Sequence, residues 1–450
     1  MTLGEIIDAV GGFSPSAKRY EIIRAITTDT RESAMGDLFF ALRGRRYSGE
    51  DFCAEAEGRG CFVISESYRS GILVKSTEDA LLALASYYKS KLRNIKSTVA
   101  VTGSVGKTTT KELLSVLLSD RNFHASKGNF NNYIGLAHTI FSAPTDTELL
   151  LLELGANHEG EIEKMSSALR PSIGIITKIG TSHIGNFGSR ERIATAKSEI
   201  EYGMSDGVLL IPYGEPLLSP RGEFRRVSLG ESEADFSLLP TETAKDETLV
   251  SFYESGKEKL TAKVRLFGEG NLRALAFSIA ASRILGVDYE EIKSHISLIS
   301  GENTRQNVFS YNNKTIIDDS YNASLESIVC AFDMMKFYRG RRCAVLGDVL
   351  ELGCQTEAIH FKIGAEATKR GIERLFLLGV YAPFIARGAL YSGMPRESIT
   401  VSTELLDKDA FFENVMSETR EGDVILFKAS NACGFGEACR ALKNQAEVKG

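Results

Sequence analysis

The chain predicts an α/β fold built on parallel sheets, and three observations carry that reading. Short, near-continuous apolar runs, such as Leu149-Leu150-Leu151-Leu152 and Ile173-Gly174-Ile175-Ile176, alternate with helical stretches. Runs of that kind suit strands covered on both faces. The stretch Val99–Thr110 reads as strand, glycine turn and helix. From about residue 302 the alternation of strand and helix starts again, as expected for a further doubly wound unit. At 450 residues the chain has room for about three domains. We expect them at 1–80, 81–301 and 302–450.

Residues 1–80 carry short apolar segments between turn signals. Leu38-Phe39-Phe40-Ala41-Leu42, Cys61-Phe62-Val63-Ile64 and Gly71-Ile72-Leu73-Val74 read as strands of a small α/β unit. A helix over about 77–91 leads into the central unit. There Leu149–Glu153, Ile173–Thr177 and Gly207–Ile211 read as strands. The helix over about 160–169 stops before Pro171, because the residue preceding proline disfavours helix. The Glu/Ser/Thr-rich patch from about Glu231 to Glu258 reads as a loop-and-hairpin excursion. In the last unit Thr315–Ile317, Cys343–Leu346, Leu375–Leu378 and Val424–Phe427 read as strands.

The turn after the Val99 run, Thr102-Gly103-Ser104-Val105-Gly106-Lys107-Thr108-Thr109-Thr110, suits a phosphate. Glycines let backbone N–H groups approach phosphate oxygens, and a helix start adds unpaired N–H donors and a positive dipole end. Lys107 would reach the outer phosphates and the Thr108 hydroxyl would hold Mg2+. The general P-loop pattern asks for glycine at position 101, where this chain has Val101, so the match is to the shortened form TGxxGKTT. A plain strand–turn–helix with a surface lysine is the bland reading. The strand and helix on either side favour nucleotide binding.

Polar residues close several of the apolar strands, where open parallel sheets bind ligands. Glu153 ends the four-leucine run and is placed to hold Mg2+, against the alternative of a glutamate facing water. His183 follows the next strand, and a single histidine is as often a satisfied polar residue as a functional one. Lys197, in a helical stretch, reads by itself as a surface lysine. In the last unit Asp319 would suit a ribose diol, and Asn322 would read an adenine edge or cap the helix starting near Ser324. The turn Leu346–Gly353 carries two acids, Asp348 and Glu351, without a GxGxxG fingerprint, so no dinucleotide is implied. Lys428-Ala429-Ser430 ends the last clear strand.

Composition narrows the field. The net charge of −6, with no basic block to offset it, argues against nucleic acid. Seven scattered cysteines without a CxxC pair read as reduced thiols, which points to the cytoplasm. We see neither a secretory signal nor an apolar run of membrane-spanning length. No segment suggests assembly, so a monomer is expected.

Together these residues resemble the Mur ligase family nearly end to end. The resemblance rests on Asp29-Thr30-Arg31 with Gly36–Gly44, on TGSVGKTTT, on Asp319–Ala323, on Leu346-Gly347-Asp348 with Glu351-Leu352-Gly353, and on Lys428-Ala429-Ser430. Gly128-Asn129-Phe130-Asn131-Asn132-Tyr133-Ile134-Gly135 and Glu153–Asn157 with Gly160-Glu161-Ile162 are similar to the dipeptide-adding branch of that family. The resemblance implies a three-domain Mur ligase architecture. A small N-terminal uridine-nucleotide domain would precede a central P-loop ATPase-like parallel sheet, and a Rossmann-like domain for the incoming dipeptide would follow. It implies a cytoplasmic ligase of peptidoglycan synthesis that uses ATP and Mg2+, with two ions, to join D-alanyl-D-alanine to UDP-N-acetylmuramoyl-tripeptide through an acyl phosphate. Lys107, His183 and Lys197 would be catalytic. Thr108, Glu153 and His183 would serve the metal sites, with Lys197 as a carbamylated ligand. Asn271, Arg305, Asp319 and Asn322 would face the nucleotide beside the 103–109 turn. Thr30, Arg31, Gly44, Asn131, Asn132, Asp348, Lys428 and Ser430 would face the substrates.

The chain departs from the family pattern at Gly270 and Ala274, where histidine and asparagine usually stand near the adenine. It departs again at Glu50, in Gly301–Arg305, and at Ala429, which replaces the usual glycine. Other readings are a different carboxylate–amine ligase (diaminopimelate- or lysine-adding, or folylpolyglutamate synthase-like) and a nucleotide-binding regulator without catalysis. For the base that frees the attacking amine, His183 and a phosphate oxygen both remain open.

Overall fold

The computed structural model describes residues 1–14, 18–44, 47–231, 233–243, 247–300, 307–403 and 408–449. The expected parallel-sheet α/β class is what it shows, in three sheets. The first is wholly parallel, in the order β1 (Ile26–Thr27), β2 (Leu38–Phe40), β3 (Phe62–Ser65), β4 (Ile72–Leu73). Helix Leu3–Val10 starts with a Thr2/Glu5 capping box and buries Leu3, Ile6 and Ile7. It packs on helix Thr77–Lys91, which also packs on helices Tyr133–Phe141 and Glu161–Leu169 of the central unit. Residue 80 therefore lies within one continuous helix that touches both units.

The central sheet has nine strands: β5 (Ser97–Thr102), β6 (Phe123–Ala125), β7 (Leu149–Glu153), β8 (Ile173–Ile176), β9 (Val208–Pro212), β10 (Phe224–Leu229), β11 (Phe236–Thr243), β12 (Thr248–Glu254) and β13 (Lys257–Val264). Their spatial order is β13-β12-β11-β10-β9-β8-β5-β7-β6. Pairing is parallel from β6 to β11 and antiparallel from β11 to β13. The 231–258 excursion is thus part of the sheet: it contributes β11 and β12, and β13 follows at its end. β5 lies between β7 and β8, its Val99, Ala100 and Val101 fully buried. Helices Lys107–Leu117 and Glu269–Ile284 cover one face, and Ser278 Oγ donates to Thr110 O (3.0 Å) between them.

The last sheet contains β14 (Asn307–Tyr311), β15 (Lys314–Asp318), β16 (Arg342–Gly347), β17 (Arg374–Leu378), β18 (Ile399–Ser402) and β19 (Val424–Lys428), ordered β14-β15-β19-β16-β17-β18. Only the β14–β15 pair is antiparallel. Because β15, β19 and β16 are neighbours, their carboxyl ends bring Asp319, Lys428 and Asp348 together. The helix after β15 is Leu325–Met335, and its N-cap is Ser324 in a capping box with Ser327. The cap reading of Asn322 is therefore corrected: it stands two residues before the cap Ser324, and its Oδ1 accepts from Ala323 N (2.9 Å), ahead of the helix.

The central and C-terminal units meet at the carboxyl ends of their sheets. Gly185 N donates to Glu351 O (2.9 Å), Thr181 Oγ1 donates to Glu326 Oε2 (3.0 Å), and the Phe267 and Phe337 rings lie 5.5 Å apart. No described helix is long and apolar enough to cross a membrane.

Candidate active site

The 103–109 turn sits at the carboxyl end of β5, at the point where its neighbours β7 and β8 diverge. Gly103 has φ +132°, and a Cβ there would stand 2.2 Å from Thr177 Oγ1, so only glycine fits. Thr177 Oγ1 lies 2.6 Å from Val105 O, and Ser182 Oγ donates to Ser104 O (3.2 Å). Those bonds engage the Ser104 and Val105 carbonyls, Ser104 N donates to Lys178 O (2.8 Å), and the residues of the turn line a cavity of about 760 Å³. That volume is within the range of small-molecule sites. Helix Lys107–Leu117 begins at Gly106 without a side-chain cap, so its first N–H groups are available to an anion. Lys107 Nζ donates to Gly103 O (2.8 Å), folded back over the turn.

Glu153 is 1 % exposed, which settles its orientation away from water. It accepts from Thr108 Oγ1 (2.5 Å) and from Asn131 Nδ2 (2.9 Å). A hydroxyl and a carboxylate at the foot of a phosphate-type turn are the oxygen donors that Mg2+ prefers. Among the described residues no three His, Cys, Asp or Glu side chains converge, so an ion here would complete its shell with phosphate and water. Asn132 Oδ1 caps helix Tyr133–Phe141 through Gly135 N (2.9 Å).

Lys197 is not the surface lysine its local sequence suggests. It is 3 % exposed, because Ile193, Ala194 and Ala196 of the same helix pull that helix into the core. Burial, with the charge of Lys107 second, lowers its ammonium to about 7, while Glu161 and Glu199 oppose the shift. Phe187 lies 5.7 Å beneath its Nζ. His183, itself in a left-handed conformation (φ +58°), hydrogen-bonds Glu351 across the domain boundary through Nδ1. Burial holds it below the ordinary histidine range, Glu351 pulls the other way, and Lys107 and Lys197 reinforce the depression.

On the C-terminal side of the cavity, Lys428 Nζ (1 % exposed) donates to Asp319 Oδ2 (2.7 Å) and to Asn322 O (3.0 Å). Ser430 Oγ accepts from Leu350 N (2.9 Å). Asp348 is turned away from the cavity and accepts from Val380 N (2.9 Å) and Tyr381 N (3.0 Å); burial raises its carboxyl. Asn271 lines the cavity and donates to Phe267 O (3.0 Å). Arg305 and the rest of 301–306 lie outside the described residues. Thr30, Arg31 and Gly44 sit on the N-terminal unit. The Thr30 carbonyl accepts from Arg59 Nη1 (2.7 Å), Arg31 pairs with Asp29 (2.5 Å), and Gly44 N donates to Tyr47 O (2.9 Å).

The departures have local explanations. Beside Gly270, Cys330 Sγ stands 3.4 Å from where a Cβ would be, so helix Leu325–Met335 fills part of that space. Ala429 packs against Gly347, where a Cβ would come within 2.7 Å of its own. Glu50 accepts from Glu66 N (2.7 Å) and Ser67 Oγ (2.8 Å) and so pins the loop after β3. Sequence reasoning noted Glu351 as one of two acids but gave it no role. Its left-handed backbone (φ +62°) and its contact with His183 are visible only in three dimensions.

Comparison with known proteins matches residues 101–282 to the Mur ligase middle domain and 304–431 to the Mur ligase glutamate ligase domain. The UDP-N-acetylmuramoyl-tripeptide--D-alanyl-D-alanine ligase of Bacillus subtilis is 33% identical, covering 94% of this chain and 93% of its own. That of Escherichia coli is 29% identical over 98% of both. A crystal structure of MurF from Acinetobacter baumannii superposes with a TM-score of 0.88 at 25% identity, over 98% of both chains. The MurF ligase from Thermotoga maritima, solved with ADP, gives 0.82 at 27% identity, over 95% of this chain and 99% of that one.

Proposed function

Because this chain belongs to the Mur ligase family, we propose that it joins D-alanyl-D-alanine to UDP-N-acetylmuramoyl-tripeptide at the expense of ATP, in the cytoplasmic stage of peptidoglycan synthesis. The observation that carries the reading is the Thr108–Glu153 pair under the 103–109 turn, in one cavity with Lys428, Asp319 and Glu351 of the C-terminal unit. A peptide carboxylate is a poor electrophile. Its oxygen attacks the γ-phosphorus of ATP, the bond to the β-phosphate oxygen breaks, and ADP leaves an acyl phosphate. The dipeptide amine, having lost one proton as an ammonium, attacks the acyl carbon. The C–N bond forms, the C–O bond to phosphate breaks with its electron pair on oxygen, and nitrogen loses a second proton to give the amide.

The first step brings anions together, and each cavity residue has a task in it. The uncapped N–H groups at the start of helix Lys107–Leu117, with Lys107, hold the phosphates in line. Thr108 and Glu153, with His183, would hold Mg2+, which supplies charge neutralisation when bound. An uncharged Lys197 amine is the form that adds carbon dioxide, and the resulting carbamate would serve a second ion. Asn271, Asp319 and Asn322 would face the nucleoside, as Arg305 would if it follows the family. Residues 1–80, with Thr30, Arg31 and Gly44, would grip the uridine nucleotide, residues 81–301 the ATP with Asn131 and Asn132 nearby, and residues 302–450 the dipeptide. Lys428 and Asp348 serve that last task indirectly, by holding the Asp319 and Val380 loops, and Ser430 by holding Leu350. A monomer suffices for all of these tasks.

The test is ADP release with purified protein. It should require ATP, Mg2+, the UDP-linked tripeptide and D-Ala-D-Ala together, and Lys107→Ala should abolish it. Turnover with diaminopimelate, lysine or glutamate as acceptor instead would assign a different ligase, and ATP binding without any product would favour a regulator.

A further inference from the structure

The nucleophile that must enter this cavity arrives as a cation. Most of the carboxylates lining the cavity have partners. Glu153 is held by Thr108 and Asn131, Glu161 by Asn157 N and His158, Glu269 by Arg273, and Asp319 by Lys428. Glu351 differs. Its side chain is 40% exposed, Oε2 is shared with His183, and among the described residues nothing is hydrogen-bonded to Oε1.

The backbone beneath it is built to present that group. Glu351 adopts φ +62°, a conformation that costs a residue with a side chain and persists only where the surroundings enforce it. Three hydrogen bonds enforce it here. Val349 N donates to His360 Nε2 (3.0 Å), Leu350 N to Ser430 Oγ (2.9 Å), and Gly185 N of the central unit to Glu351 O (2.9 Å). His360 is fully buried, and its Nδ1 lies 2.7 Å from Thr356 O. With that nitrogen donating to a carbonyl and the other accepting from an amide, the ring has one tautomer and one orientation. Glu351 therefore rides on the C-terminal unit yet is aimed across the domain boundary at the histidine beside the phosphate turn.

We propose that Glu351 is the carboxylate that receives the ammonium group of the incoming dipeptide, through Oε1, and sets it beside the acyl phosphate. The assignment rests on the ligase reading above and goes beyond it by naming the amine subsite.

Glu351→Gln keeps the shape and removes the charge. The KM for D-Ala-D-Ala should rise about 10- to 100-fold, the size expected for a lost charge-assisted hydrogen bond. The KM for ATP, the Mg2+ requirement and single-turnover formation of acyl phosphate, trapped with hydroxylamine, should stay at wild-type values. Glu351→Asp should recover part of the loss. D-lactoyl-D-alanine, which lacks the ammonium, should inhibit wild type and Glu351→Gln equally, a comparison that also exposes any general damage to the site. A raised Mg2+ requirement with an unchanged dipeptide KM would make Glu351 a metal ligand and overturn the proposal. So would weaker inhibition of the variant by the lactoyl analogue. If wild type traps no acyl phosphate at all, the ligase reading itself fails, and the subsite falls with it.

Discussion

A lysine ammonium buried away from water is costly, and Lys197 shows where that cost is carried. Its folded value of about 7 lies below the ordinary 10.5. Between those values the unfolded chain binds the proton and the folded one does not. Stability contributed by this residue therefore rises with pH through that window, by up to about 1.4 kcal/mol per pH unit, and is flat below it. Lys197→Met should flatten the rise between pH 7 and 10, raise the melting temperature at neutral pH and abolish ligation; pH-dependent thermal denaturation with an ADP-release assay checks both. Glu153 is the converse case, a buried anion satisfied by Thr108 and Asn131. Glu153→Ala should lower kcat by about 100-fold or more and raise the Mg2+ concentration needed for half-maximal rate, which a Mg2+ titration of ADP release will read. Both carboxylate and lysine were nameable from sequence. The apolar run ahead of Glu153 pointed to its burial, but that of Lys197 was not legible, because it depends on which face of helix Arg190–Ser198 the rest of the fold covers.

At the scale of elements, the strands were legible because a strand covered on both faces has to be apolar along its length, and β7, β8 and β19 are, apart from the Glu153 and Lys428 that close β7 and β19. The three strands β11–β13 were harder to read, since their outer residues are polar and their pairing is antiparallel. Helix contacts of the closest kind also escape a linear reading. Helices Thr356–Lys369 and Ala382–Tyr391 cross backbone to backbone: a Cβ on Gly364 would lie 1.8 Å from Ile385 O, and one on Gly388 1.8 Å from Phe361 O. Gly364→Ala should therefore destabilise the protein by about 1–3 kcal/mol despite alanine's better helix propensity, seen as a lower urea midpoint. The KM for ATP should not change, because no residue of either helix lines the cavity.

For the whole molecule, the contact between the central and C-terminal units decides whether the cavity exists. Gly185 and Gly353 allow the approach, since a Cβ on Gly185 would meet Gly353 N at 2.5 Å. Gly185→Val should hold the two units apart. We expect a larger radius of gyration by small-angle scattering in the presence of nucleotide and dipeptide, retained ATP binding, and a fall in kcat of about 100-fold or more, because an open site no longer excludes water from an acyl phosphate.

By itself the sequence determined the parallel-sheet α/β class, the glycine-bounded turn at 103–109 and the carboxylate at the end of β7. Each of these is written in neighbouring residues through short-range rules of burial and turn geometry. Only the tertiary structure decided that Lys197 is buried, that Ser324 rather than Asn322 caps its helix, and that Glu351 meets His183. The last pair stands 168 residues apart in the chain, and contacts of that kind arise from how packed units close on one another, which no local pattern encodes.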